Sequence, residues 1–243
     1  MSLEAKREPR SAVAVYSGGM DSTVMLYHML DRGVAVKGAL SVDYGQKHRK
    51  ELQVAAEVCR SLGIEHQVAD MRGIGPLFGK SSLTNSSEDV PEGHYAEEQM
   101  KSTVVPNRNM VLLSIATAWA ISKQAEAVAY AAHGGDHAIY PDCREEFADA
   151  LDAAIQLCDW SKVFLYRPFV SSNKAEIAAL GHQLGAPLEK TWSCYKGGEL
   201  HCGRCGTCVE RREAFYLAGL EDPTAYSETA PRIADLVKSG WKL

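Results

Sequence analysis

The chain lacks any apolar run near the ~18 uninterrupted residues that a membrane-spanning helix needs. Its longest candidate, Met110 to Ile121, is short and carries Ser114 and Thr117. A basic surplus is missing too. Lys+Arg 26 against Asp+Glu 31 gives a formal charge of −5, so the broad attraction for phosphate backbones of a nucleic-acid-binding domain is absent, and no nucleic-acid partner is expected. The first ten residues, MSLEAKREPR, have no apolar core of the secretory kind; the expected compartment is the cytoplasm, with no membrane partner. There is no internal repeat and no low-complexity tract. Nor is there a disulfide framework: of seven cysteines, four crowd between positions 194 and 208, and Cys59, Cys143 and Cys158 stand apart in helical or helix-flanking segments.

What is present fits one core. At 243 residues, 46% hydrophobic and 23% charged, the chain suits one large domain or a domain with a small appendage. Ala12–Tyr16 and Val34–Val42 read as strands around a helix at Ser22–Leu30. A helix over 47–63, stopped by Gly63, leads to a strand over 64–70. Downstream, a buried helix at Asn107–Lys123, a strand in EAVAYAA, an amphipathic helix in CREEFADALDAAIQLCD and a strand in VFLYRPF continue the alternation. This predicts an α/β fold with a parallel sheet covered on both faces and ligands at the carboxyl ends of its strands. Gly73–Val105, polar and rich in turn formers, breaks the rhythm and reads as a functional lid or mobile loop. The second break starts at Trp192, where the cysteines begin, with a helix near Val209–Leu217.

The first strand enters its helix through SGGMDST. Such a turn leaves helical N–H groups unpaired at the positive end of the helix dipole, which suits an anion. Gly18 and Gly19 permit positive φ and close approach, Ser17, Ser22 and Thr23 offer hydroxyls, and Asp21 or Ser22 is the expected N-cap. The turn has no GxxxxGK[ST] lysine and does not complete GxGxxG. Further on, Cys194, Cys202, Cys205 and Cys208 follow C-x7-C-x2-C-x2-C, with glycines between them for tight turns. Four thiolates so spaced suit tetrahedral Zn²⁺ in a closed, structural site; softness alone leaves an iron–sulfur cluster open.

SGGMDS resembles the signature of the PP-loop pyrophosphatases, which bind the β,γ-pyrophosphate of ATP in this turn and cleave between the α and β phosphates. Beside it stand VDYGQKHRKEL, SSLT, TVVPNRNMVLLSIA, HGGDHAIYPDCREEF, NKAEI and TWSCYKGGELHCGRCGTCVERREAF. From about residue 12 to the end of the cysteine segment, the set resembles the 7-cyano-7-deazaguanine synthase family of queuosine biosynthesis. The resemblance implies a Rossmann-like adenine nucleotide alpha hydrolase fold, with a PP-loop domain over 10–190 and a zinc-binding segment with C-terminal helices over 191–243, packed on the same domain. It implies an ATP-dependent C–N ligase that forms a nitrile from 7-carboxy-7-deazaguanine and ammonia, with ATP, Mg²⁺ and Zn²⁺, acting as a homodimer on small molecules.

Residue roles follow from that. ATP is expected along Tyr16, Ser17, Gly18, Gly19, Met20, Asp21, Ser22, Thr23, Val24, Met25 and Leu26, with Asp21 placing Mg²⁺. Asn173-Lys174-Ala175-Glu176 reads as a capping box that puts Lys174 in a first turn, either solvated or on pyrophosphate. Arg108 meets a phosphate, the substrate carboxylate, or a surface carboxylate. His133, Asp136 and Asp142 are candidates for the deazaguanine edge, and Asp43 and Gln46 for the nucleotide pocket. A PP-loop enzyme acting on tRNA should show a basic face, and a zinc-ribbon binding module would leave the nucleotide turn unexplained.

Overall fold

A computed structural model describes residues 7–243 except Ser86, with the side chains of Asp136 and His137 also outside the description. Residues 1–6, part of the segment read above for a secretory core, lie outside the described residues. Five parallel strands form one sheet in the order β3-β2-β1-β4-β5: β1 Ser11–Val15, β2 Ala35–Asp43, β3 His66–Asp70, β4 Ala127–Ala129 and β5 Phe164–Tyr166. The order reverses between β1 and β4, so a crevice opens outside their carboxyl ends. Among the described residues seven α-helices accompany them: α1 Met20–Asp31, α2 Lys50–Leu62, α3 Arg108–Ser122, α4 Glu145–Ile155, α5 Lys174–Gln183, α6 Gly206–Leu217 and α7 Ile233–Lys238.

Alternation along β1 assigns the layers. Ala12, Ala14 and Tyr16 share an apolar cluster with α1, α2 and α5, whereas Val13 belongs to the cluster that contains α3 and α4. Small residues on the first face, Ala39, Ala127 and Ala129 among them, let the helices close in on the sheet. On the other face Gly38 is required by packing: a Cβ there would lie 2.5 Å from the Trp119 ring of α3.

The expected alternation is present, with β4 and β5 reduced to three residues each and α4 ending at Ile155, before the expected Asp159. Cys158 therefore lies beyond the helix and is exposed, not a core residue. Segment 73–105 differs from its expectation as a mobile loop. Phe78, Leu83, Val90, Tyr95, Met100 and Val105 are buried in the α3–α4 core, and Ser81 and Ser82 are buried with them. It is an arm fastened to the cysteine segment, with Gly93 N–H donating to Arg204 O at 3.0 Å and Arg204 Nε to Glu92 at 2.7 Å. Among the described residues no helix is long and apolar enough to cross a membrane.

Candidate active site

The site starts where β1 ends. Tyr16 N–H still pairs with Leu40 O at 2.9 Å, and the chain then turns at Gly18, φ +82°. A Cβ at Gly18 would sit 2.3 Å from Glu51 O, so the first turn of α2 packs directly against this glycine. Gly19 has φ −76° and is the N-cap, which corrects the expectation of positive φ at both glycines and of Asp21 or Ser22 as cap. The chain is already helical at Met20, so Asp21 and Ser22 sit inside the first turn, and no side chain caps the helix. Ser17 and Ser22 hydroxyls lie 3.1 Å apart at the mouth of the turn. Trp192 N–H donates to Gly18 O at 3.0 Å, tying the cysteine segment to the turn.

Not all of the stretch expected to hold ATP faces outward. Tyr16, Ser17, Asp21 and Ser22 line the adjoining cavity, whereas Met20, Val24, Met25 and Leu26 are buried against the sheet, as the inward stripe of α1. Thr23 is also committed internally: its hydroxyl donates to Gly19 O at 2.8 Å and meets Tyr16 Oη at 3.1 Å.

Asp21 and Lys174 meet. The Lys174 ammonium lies 3.0 Å from Asp21 Oδ2, 2.9 Å from Glu210 Oε2 and 3.3 Å from His133 Nε2. Lys174 is thus no solvated lysine. The capping box is present as expected, with Asn173 accepting from Glu176 N–H and Glu176 accepting from Asn173 N–H, and it fixes the start of α5. A cation at a helix start opposes the dipole, and the two carboxylates offset that. Burial acts to raise the Asp21 carboxyl, but the Lys174 charge, with His133, outweighs it and holds the group below its ordinary range. Asp21 Oδ1 is buried with no hydrogen-bond partner among the described residues, which leaves one anionic oxygen for a cation.

From this turn a cavity of about 230 Å³ runs under Tyr44, His48, Glu51, Tyr95, Arg108, Tyr130, Tyr140 and Tyr195 to Trp192 and Ser193. Six of the ten tyrosines line it, so its walls can stack on a flat ring and hydrogen-bond at its edge. Arg108 heads α3, with its guanidinium 3.4 Å from Tyr44 Oη and over the Tyr140 ring at 5.8 Å. No carboxylate among the described residues forms an ion pair with it, so the surface salt bridge expected as one alternative is absent.

The other expected residues separate. His133 is buried beside Asp21 and Lys174, with Nδ1 accepting from Gly135 N–H at 3.1 Å, so it stands at the turn and not at the ring-shaped space. Asp142 accepts from Asn109 N–H at 3.0 Å and so caps α3; its carboxylate does not line the cavity. The Asp136 side chain lies outside the described residues, and its backbone is in the 3₁₀ turn Gly134–Ala138. Asp43 accepts from Gly45 N–H and from Arg49 at 2.7 Å, holding the turn after β2, and Gln46 bonds Glu51; neither lines the cavity. Of the cavity tyrosines only Tyr16 was expected; Tyr44, Tyr95, Tyr130, Tyr140 and Tyr195 were missed, as were Glu51 and Glu210. Glu51 sits in the VDYGQKHRKEL stretch, which flagged the region but not the residue.

The ligand atoms of Cys194, Cys202, Cys205 and Cys208 all lie within 4.8 Å of one another. A tetrahedral ion with ~2.3 Å bonds to sulfur needs sulfurs about 3.8 Å apart, and Cys202 and Cys208 stand at 3.9 Å. Arg204 and Cys205 N–H groups point at Cys202 Sγ at 3.4 and 3.3 Å, as a thiolate requires. The cluster could hold a metal. Its segment also carries site parts: α6 starts at Gly206 and presents Glu210 to Lys174, while buried Arg211 bonds Thr191 and Leu188 O and so clamps the run leading to Trp192.

A family profile described as queuosine biosynthesis protein QueC matches residues 11–219. A 7-cyano-7-deazaguanine synthase from Psychromonas ingrahamii is 50% identical over 220 residues, 90% of this chain and 99% of that one. One from Rhizobium meliloti is 55% identical, over 89% of this chain and 92% of its own. A solved NH3-dependent NAD synthetase from Campylobacter jejuni aligns over 88% of this chain and 76% of that one, with a TM-score of 0.45 and 16% identity. Sequence identity at the level of the first two, sustained over most of both chains, leaves no distance to bridge: the chain belongs to the QueC family, the 7-cyano-7-deazaguanine synthases.

Proposed function

We propose that this chain converts 7-carboxy-7-deazaguanine, ammonia and ATP to 7-cyano-7-deazaguanine, releasing AMP and pyrophosphate at each of two adenylations. A carboxylate resists ammonia because oxide would have to leave. Attack of its oxygen on the α-phosphorus expels pyrophosphate and makes AMP the leaving group. Ammonia then adds at carbon, a proton is lost and the C–O bond to AMP breaks, giving the amide. The amide oxygen attacks a second ATP; loss of the N–H protons and cleavage of the C–O bond leave the nitrile.

The observation that carries this reading is that the uncapped α1 turn and Arg108, which has no carboxylate partner among the described residues, open into one aromatic cavity. In it the turn's N–H groups and the Ser17 and Ser22 hydroxyls bind the outer phosphates, Lys174 takes charge from the departing pyrophosphate, and Arg108 orients the substrate carboxylate. Asp21, through its free Oδ1, would hold Mg²⁺, which when bound offsets phosphate charge. His133 and Asp136 remain proposed contacts to substrate, His133 at the phosphate end, while Asp142 acts through the start of α3. Zn²⁺ in the four thiols would be structural, with residues 10–190 and 191–243 acting as one unit, in a cytoplasmic homodimer that needs no nucleic acid. Mass spectrometry of the product from purified protein, ATP, ammonium and the acid tests the reading. The nitrile and acid-dependent pyrophosphate without tRNA are expected; pyrophosphate release that requires tRNA would overturn it.

A further inference from the structure

The reaction as read above sheds protons from nitrogen twice, once when ammonia adds and again when the nitrile forms, and the groups at the turn are unsuited to accept them. Asp21 is held anionic by Lys174 at 3.0 Å and faces the phosphate end. Among the described residues, Asp21 and Glu51 are the carboxylates that line the cavity. Glu51 is nearly buried, and its own backbone carbonyl packs on Gly18, so its place relative to the turn is fixed. Gln46 Nε2 donates to Oε1 at 3.1 Å, and Gln46 in turn is held by Val42 O and Tyr44 N–H. Oε2 lies 3.5 Å from His48 Nε2. His48 offers no compensating charge, since burial and then Arg108 push it down to about 3, and its buried Nδ1 has no partner among the described residues. A carboxyl facing this cavity with no charged ion-pair partner among the described residues is fit for proton transfer.

We propose that Glu51 is the general base of both nitrogen steps, taking the proton from the ammonia adduct as AMP leaves and from the adenylated amide as the C≡N bond forms and the C–O bond breaks. Each proton passes from nitrogen to a Glu51 oxygen and then to solvent, and no redox partner is needed. Burial, opposed by Gln46 and by Arg108, raises this carboxyl to about 8. Tyr44, Gln46 and His48 from the β2–α2 connection and Arg108 from α3 are the charged or titratable groups and polar partner that face it. The first adenylation involves a carboxylate oxygen and loses no proton, so it does not need Glu51.

This inference rests on the reaction proposed above, and the test separates the two. Wild-type protein is given the acid and ATP without ammonium, and pyrophosphate is followed; it is then given 7-amido-7-deazaguanine and ATP, and the nitrile is followed in a single turnover. The amide reaction avoids the titration of ammonium itself. Glu51→Gln is expected to keep the acid-dependent pyrophosphate burst and to lose about 100-fold or more in nitrile formation from the amide. The wild-type rate should rise with pH through about 8, and the variant should lack that rise. Nitrile formation at the wild-type rate, or loss of the burst together with the nitrile, overturns the role of Glu51. Absence of both products with wild-type protein overturns the reaction itself, and the inference with it. Where Glu51→Gln does not fold, Glu51→Asp replaces it: a kept burst with slowed nitrile formation supports the role, and an unchanged nitrile rate overturns it.

Discussion

The two ends of the cavity are built on opposite principles. At the turn, charge is paired: Lys174 is shared by Asp21 and Glu210, and Ser17 and Ser22 contact each other. At the far end, among the described residues, Arg108 contacts tyrosines without a carboxylate in ion-pair reach, and Glu51 contacts an amide and an imidazole kept neutral by burial. In the proposed reaction the phosphate end receives the same polyanion in each adenylation and gains from a fixed, pre-paired frame. An end that meets acid, amide and adenylated forms in succession gains from groups whose charge is not already spent. Both ends depend on residues 191–210, which supply Trp192 and Glu210 to the turn and Tyr195 to the far end.

That shared dependence gives the largest expected effect. Cys205 is fully buried and is the residue from which α6 starts. Cys205→Ser should lose bound metal and, since structural sites of this kind contribute folding energy outright, should melt well below wild type and lose both adenylation and nitrile formation. Metal content by mass spectrometry and thermal unfolding by circular dichroism check it; a metal-free variant with wild-type melting would show that the two ends do not hang on this segment. Next comes the turn alone. Asp21→Ala should lower AMP formation by roughly 1,000-fold, as removal of charge-stabilising groups does, while the metal content stays unchanged. AMP release at the normal rate would detach the turn from the chemistry.

The same contrast explains what the sequence made legible. The turn lies in one short stretch, the capping box of α5 in another, and the four thiols in a third, so local spacing marked each of them and the resemblance supplied the nucleotide, while the meeting of Lys174 with Asp21 had no local mark. Local periodicity likewise gave the sheet and its flanking helices. The far end draws on the β2–α2 connection, α2, the 73–105 arm, α3, the segment after β4 and the cysteine segment at once, and no local pattern marks such an assembly. Asp142 shows the cost of reading a residue by its type: a carboxylate suited to guanine-like donors proves committed to the start of α3, 33 positions earlier in the chain. Glu210 was unreadable for the reverse reason, since its partner lies 36 positions away and gives an exposed-looking helix residue a buried task.

Arg108→Lys tests the far end with a smaller change. The lysine keeps the charge but loses the planar fork that grips a carboxylate in two places. The KM for the acid should rise about 10- to 100-fold, equivalent to roughly 1–3 kcal/mol, with little change for the amide, which carries no carboxylate. An equal rise for both substrates would move Arg108 from the carboxylate to the ring or the nucleotide.

The smallest effect concerns stability and has the opposite sign to the effect on activity. The carboxyl of Glu51 is raised to about 8 in the folded protein, chiefly by burial, against about 4.3 in an unfolded chain. Above the unfolded value the unfolded state is ionised while the native state still holds the proton. Native stability from this group is therefore present at acid pH and falls as pH rises toward about 8. Glu51→Gln keeps the acceptor for Gln46 and has no proton to hold, so that decline vanishes. At pH 8 the variant should be more stable than wild type by on the order of 1 kcal/mol, since relaxation and water entry absorb much of the burial penalty, and at pH 4.5 the two should melt together. Paired unfolding curves at these two pH values check it. A variant less stable than wild type at pH 8 would mean that Glu51 is held there as a paired anion, which would erase the difference between the two ends of the cavity.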